Sequence, residues 1–202
     1  MNNQHILGQF LPEGTAATIE KWINYYRCDF TIHRSRRSKL GDYRAPFKGD
    51  PHRISVNRDL NPYAFLVTTV HEFAHLLTHE QHKGRVLPHG TEWKLNFKKM
   101  MQPFLQGDFL PVDVSRVLRA YLENPAASSC ADVSLMRILK KYDEPKPDAV
   151  TVEKLALGSI FCLPDGRTFQ KQEKLRKRFR CVEMQTKRIY LFSPMAEVRK
   201  MV

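Results

Sequence analysis

The chain is poor in the features that would place it in a membrane, a secretory route or a disulfide scaffold. Only four of its 202 residues are cysteine, Cys28, Cys130, Cys162 and Cys181, and no two form a CxxC pair. A disulfide-stapled fold is excluded, and free thiols, small and buried, are the expected state. No apolar run approaches the ~20 residues that a membrane-spanning helix needs. The N-terminal residues Met1-Asn2-Asn3-Gln4-His5 lack the basic and apolar stretches of a secretory signal. A cytoplasmic protein that does not enter a membrane is therefore expected. Internal repeats and low-complexity tracts are also absent. Hydrophobic residues make up 42% of the chain and aromatics 10%, enough to exclude a chain disordered throughout.

Charge is present in excess of one sign. Thirty-three Lys+Arg against 21 Asp+Glu leave a formal net charge of +12. Its distribution is uneven: residues 1–150 carry +5 (21 against 16), whereas residues 151–202 carry +7 (12 against 5). A polyanion, nucleic acid first, is the partner such a balance favours. The candidate contacts are Arg167, Lys171, Lys174, Arg176, Lys177, Arg178 and Arg180, although basic runs also serve as plain solvated faces. Arg34, Arg36, Arg37 and Lys39 form a second basic cluster.

The segment 143–150 begins Asp143-Glu144-Pro145-Lys146-Pro147-Asp148, where two prolines disfavour helix. It is read as a linker between a main domain, 1–142, and a basic module, 151–202. Apolar residues of the main domain fall at helical spacing from Thr15 to Tyr26, then at strand spacing in Phe30–His33, Lys39–Arg44 and Arg53–Val56. Asn61-Pro62 opens a long helix to about Thr78, with asparagine suited to the cap and proline to the first turn. Further helices are expected at Thr91–Met101, Pro111–Glu123 and Ser134–Tyr142. The module reads as short strands, Ser159–Leu163, Thr168–Lys171, Phe179–Met184 and Arg188–Phe192, with turns at Asp165-Gly166 and Thr186-Lys187. The fold class is α+β: an N-terminal helix, a small antiparallel sheet, a long helix and further helices, followed by a small antiparallel β module. Trp22, Trp93 and the module's aromatics are expected in cores.

The long helix contains His71-Glu72-Phe73-Ala74-His75, an HExxH. Residues i and i+4 share a helix face, so two imidazoles can hold one Zn²⁺ with the glutamate beside it as general base. A catalytic zinc takes a third protein ligand. His79 lies two turns from His71, too far along the axis. His82, expected in the loop, is a candidate; His89, followed by Gly90 and opening the next helix, is preferred. Glu92 is a weak candidate for orienting a ligand ring, a surface role being commoner for a helix glutamate.

The run His71-Glu72-Phe73-Ala74-His75, a short loop, and then His89-Gly90-Thr91-Glu92-Trp93-Lys94 resembles the SprT-like metallopeptidases, which include the Spartan proteases. The similarity extends over roughly residues 5–125 and is densest from Pro62 to Met101. It implies a zincin-like fold, one zinc ion held by His71, His75 and His89, Glu72 as catalytic base, and protein substrates that for Spartan-like members are trapped on DNA. One departure stands out: many bacterial members end in a zinc ribbon with paired cysteines, and this chain has only single ones there. No second zinc is expected. Two other readings compete. One is a nucleic-acid-binding protein whose metal site is structural or vestigial. The other is a small-molecule zinc hydrolase of deformylase type using Cys28 as a ligand.

Overall fold

The computed structural model describes residues 6–36, 39–126 and 132–201, and the chain divides between Asp143 and Glu144 into two compact units. Among the described residues the fold is α+β, with five α-helices and two sheets.

The first unit begins with helix α1 (Ala16–Tyr26), which buries Ile19 and Ile23 and ends on Arg27 in the left-handed conformation. Strands β1 (Asp29–His33), β2 (Gly41–Arg44) and β3 (Arg53–Asn57) form a sheet in the order β1-β3-β2. Here the expectation of an antiparallel sheet is corrected. β2 runs antiparallel to β3, but β1 runs parallel to it. Burial sets the order: β3 carries Ile54 and Val56, both almost fully buried, and takes the centre, which leaves β1 and β2 as edges.

Helix α2 (Pro62–His82) is the hub of this unit. The Asn61 side chain accepts from the Ala64 N–H at 3.0 Å, and its amide donates to Leu139 O and Asp143 Oδ1. α2 continues past the expected end at Thr78 because no glycine intervenes before Gly84; Lys83, left-handed, closes it. Phe65, Leu66, Val67, Val70, Phe73, Ala74 and Leu76 are buried, each large one worth about 1.5–3 kcal/mol. Helix α3 (Thr91–Gln106) also outruns its expected end, carrying Pro103 inside it. Burial of Phe104 and Leu105 beyond the proline favours continuation over a break. Asn96 clasps α3 to α2 by donating to Thr78 Oγ1 and Gln81 Oε1. Trp22 packs edge-on against Phe73 and Phe104, tying α1 to both. Helices α4 (Val112–Leu122) and α5 (Val133–Lys140) complete the unit.

The second unit is one antiparallel sheet in the order β4-β9-β5-β6-β7-β8. Its strands are β4 (Ala149–Thr151), β5 (Ile160–Cys162), β6 (Thr168–Leu175), β7 (Arg178–Glu183), β8 (Ile189–Phe192) and β9 (Glu197–Lys200). β4 starts inside the segment read as linker, and β9 has no counterpart among the expected strands. Both are short and lack alternation on their own; pairing with each other defines them. β6 runs on to Leu175 through an irregularity between Lys171 and Lys174. Phe161, Phe169, Cys181, Val152 and Val198 form the unit's own core, with Phe192 edge-on to both phenylalanines. Among the described residues, no helix is long and apolar enough to cross a membrane.

Candidate metal centre

α2 presents His71 and His75 one turn apart on one face, and the turn Leu87–Gly90, closed by the Gly90 N–H on Leu87 O, brings His89 to them. The ligand nitrogens of the three histidines lie within 4.8 Å of one another. His71 Nε2 is 3.3 Å from His75 Nε2 and 3.4 Å from His89 Nε2. Zn–N bonds of about 2.0–2.1 Å put neighbouring ligands of a tetrahedron about 3.3–3.4 Å apart, so the donor set fits that ion. Trp93 closes the back of the centre, its ring 4.7–5.3 Å from all three imidazoles.

The three rings favour the neutral form that ligation requires. Burial lowers the His71 pKa to about 3, helped by the neighbouring His75 and His89, and burial with His89 lowers His75 to about 4. His89 is lowered by burial alone. His71 Nδ1, and Trp93 Nε1 beside it, are buried without a hydrogen-bond partner among the described residues. A neutral His71 that offers Nε2 outward must carry its proton on that orphaned Nδ1, which costs about 1–3 kcal/mol. The fold tolerates this in order to aim Nε2 at its two neighbours.

Glu72 is buried at 7% exposure. Burial raises its pKa to about 8, with Asp42 adding; Arg36, Lys39 and a backbone hydrogen bond from Tyr43 oppose the rise. Strand β2 runs against this carboxylate. A methyl group added at Gly41 would meet Glu72 Oε1, and would lie 2.8 Å from both Glu72 Cγ and Thr68 Cγ2. Gly41 and Tyr43 lie in the expected strand Lys39–Arg44, but sequence reasoning did not place them beside Glu72; a glycine opening a strand was the available signal for the first.

Among the described residues, the metal-competent group is these three histidines alone. His82 is the last residue of α2, outside a loop and outside the group. His79 faces Tyr43 and His52 instead. Glu92, half-buried in the first turn of α3, makes no hydrogen bond to a ligand histidine. Cys28 is buried in the core, its thiol pushed up to about 12 by burial, and is not a member. Cys162 and Cys181 are free thiols; Cys130 lies outside the described residues, as does Arg37.

The seven basic residues proposed as nucleic-acid contacts divide sharply. Lys171 is 3% exposed, its ammonium donating to the carbonyls of Glu153 and Leu155 over the Phe179 ring. It is therefore removed from the surface set, because an alternating strand pattern points it into the core. Arg167 pairs with Asp165 and Arg180 with Glu173. Lys174, Arg176, Lys177 and Arg178 remain, exposed around the β6–β7 turn and without an ion pair among the described residues.

Compared with models of protein families, with curated proteins and with solved structures, the chain finds no match in any of the three.

Proposed function

We propose that this chain is a zinc-dependent metallopeptidase of SprT-like, Spartan-related type with a zincin-like catalytic unit. The observation that carries the reading is the spacing of the three Nε2 atoms, 3.3 and 3.4 Å around His71, with a buried glutamate between the first two ligands in sequence. A zinc ion held by His71, His75 and His89 supplies Lewis acidity, polarising a carbonyl and acidifying water. Burial raises the Glu72 carboxyl, and a cation held by the three histidines would favour its ionised form. Glu72 takes the proton of the attacking water on a carboxylate oxygen and delivers it to the departing amide nitrogen. Trp93 and Phe97 shield the ring faces of His71 from water.

β2 supplies the substrate edge. It pairs with β3 on one side, and its other edge is the one a peptide could extend by main-chain hydrogen bonds. β3 is central, paired on both sides, and offers no free edge. Main-chain recognition suits an enzyme that accepts many protein sequences.

Glu72→Gln tests the reading. It is expected to reduce cleavage of a basic DNA-binding protein by about 10²–10⁴-fold, with one zinc per chain retained by metal analysis. Cleavage at the wild-type rate would overturn the assignment.

A second reading, a nucleic-acid-binding protein whose metal is structural, is favoured by Lys174, Arg176, Lys177 and Arg178. The two readings meet in a peptidase that its basic ribbon recruits to DNA-associated proteins. Running the cleavage assay with and without single- or double-stranded DNA separates them.

A further inference from the structure

Tyr43 belongs to no metal or protease motif, yet it is where β2 meets both halves of the centre. Its backbone N–H lies beside the Glu72 carboxylate and favours the ionised form. Its ring lies parallel to the His75 imidazole, with 3° between the planes and 6.3 Å between centroids. The far end of the ring is held as well. The Tyr43 hydroxyl lies 3.0 Å from His52 Nδ1, and His52 Nε2 lies 3.1 Å from Glu80 Oε1. Glu80 sits on α2, the same helix that carries His75, so the chain of bonds starts and ends on one element.

Each polar atom in this chain has a single role. Lys83 and His52 keep Glu80 ionised, and an ionised carboxylate only accepts. His52 Nε2 must then carry the proton, which leaves Nδ1 as acceptor and makes the Tyr43 hydroxyl the donor. His52 is 8% exposed, so water does not readily replace a bond lost there. A ring needed only for packing would be served by phenylalanine. The hydroxyl fixes the direction of the ring, and through it the lie of β2 beside Glu72.

We infer that Tyr43, latched by His52 and Glu80, is the positioning residue of this centre: from one short strand it sets the His75 ring plane and the Glu72 carboxylate together. The inference rests on the metal-centre reading above. Residues that orient ligands from outside the coordination sphere typically cost about 10–100-fold in metal affinity or activity when removed.

Cobalt(II) titration of the full-length chain tests it without any peptide, through affinity and the visible absorption of the bound ion. Tyr43→Phe keeps the ring and is expected to bind Co²⁺ about tenfold more weakly, with altered absorption and an unchanged far-UV circular dichroism spectrum. Glu80→Ala, at the exposed end of the latch, leaves the packing around Tyr43 in place and is expected to weaken binding in the same direction. The double variant should bind no more weakly than Tyr43→Phe alone, as for groups acting through one connection. Cobalt binding by Tyr43→Phe with wild-type affinity and spectrum overturns the inference, as does simple additivity of the two changes. A wild-type chain that binds no cobalt overturns the inference and the metal centre together. Wild-type binding, weakened in the variants but without peptide cleavage, supports the inference and removes the peptidase reading.

Discussion

Gly41 shows how little room the centre leaves. Its backbone is ordinary extended chain, and the glycine is required by the proximity of Glu72 rather than by its torsions. Gly41→Ala is expected to push the Glu72 carboxylate aside and to cut peptidase activity by at least about tenfold while zinc content stays at one per chain. Full activity in that variant would show that Glu72 has slack. The histidines carry a second residue-scale consequence. In the metal-free folded chain, His71 and His75 titrate near 3 and 4, against ~6.5 when unfolded. Between pH ~6.5 and ~4 the unfolded chain therefore binds more protons, so stability falls as the pH falls. At pH 5 the loss amounts to about 2 kcal/mol for His71. Urea midpoints of metal-free protein at pH 7.5 and pH 5 measure it, and His71→Leu should reduce the difference by about half, the share of His75 remaining.

At the scale of elements, α2 depends on its start as much as on its core. Asn61 caps the helix and also holds Leu139 O and Asp143, so one side chain joins the beginning of α2 to the end of the unit. Asn61→Ala is expected to destabilise the first unit by about 2 kcal/mol, at the upper end for a cap, visible as a lowered melting temperature. The asparagine cap, the Pro62 turn and the histidine spacing were all legible in the sequence, because each is a local rule acting within one helix. The passage of α3 through Pro103 and the strand order β1-β3-β2 were not. Burial of Phe104 and of Ile54 and Val56 decides them, and burial depends on partners distant in sequence.

At the scale of the molecule, the candidate metal centre lies in the first unit and the densest run of basic residues in the second. Metal that binds only the folded first unit should stabilise it by about 2.7 kcal/mol at a hundred times Kd, and leave the second unit unchanged. Hydrogen exchange with and without chelator measures this: amides of α2 and α3 should lose protection, those at Phe161 and Phe169 should not. For the second unit, Arg176→Glu with Lys177→Glu is expected to weaken DNA binding and flatten its dependence on salt. Unchanged affinity at low salt would exclude the β6–β7 turn as the contact. By itself the sequence determined that a helix carries HExxH, that His89 was the preferred third ligand, and that more than half of the excess positive charge lies in the last quarter of the chain. These follow from spacing and composition, which survive without a fold. Only the tertiary structure decided that Tyr43 and Gly41 lie against Glu72, that β3 is central and β2 an edge, and that Lys171 is internal. Those facts depend on which segments exclude water from one another, and no local pattern records that.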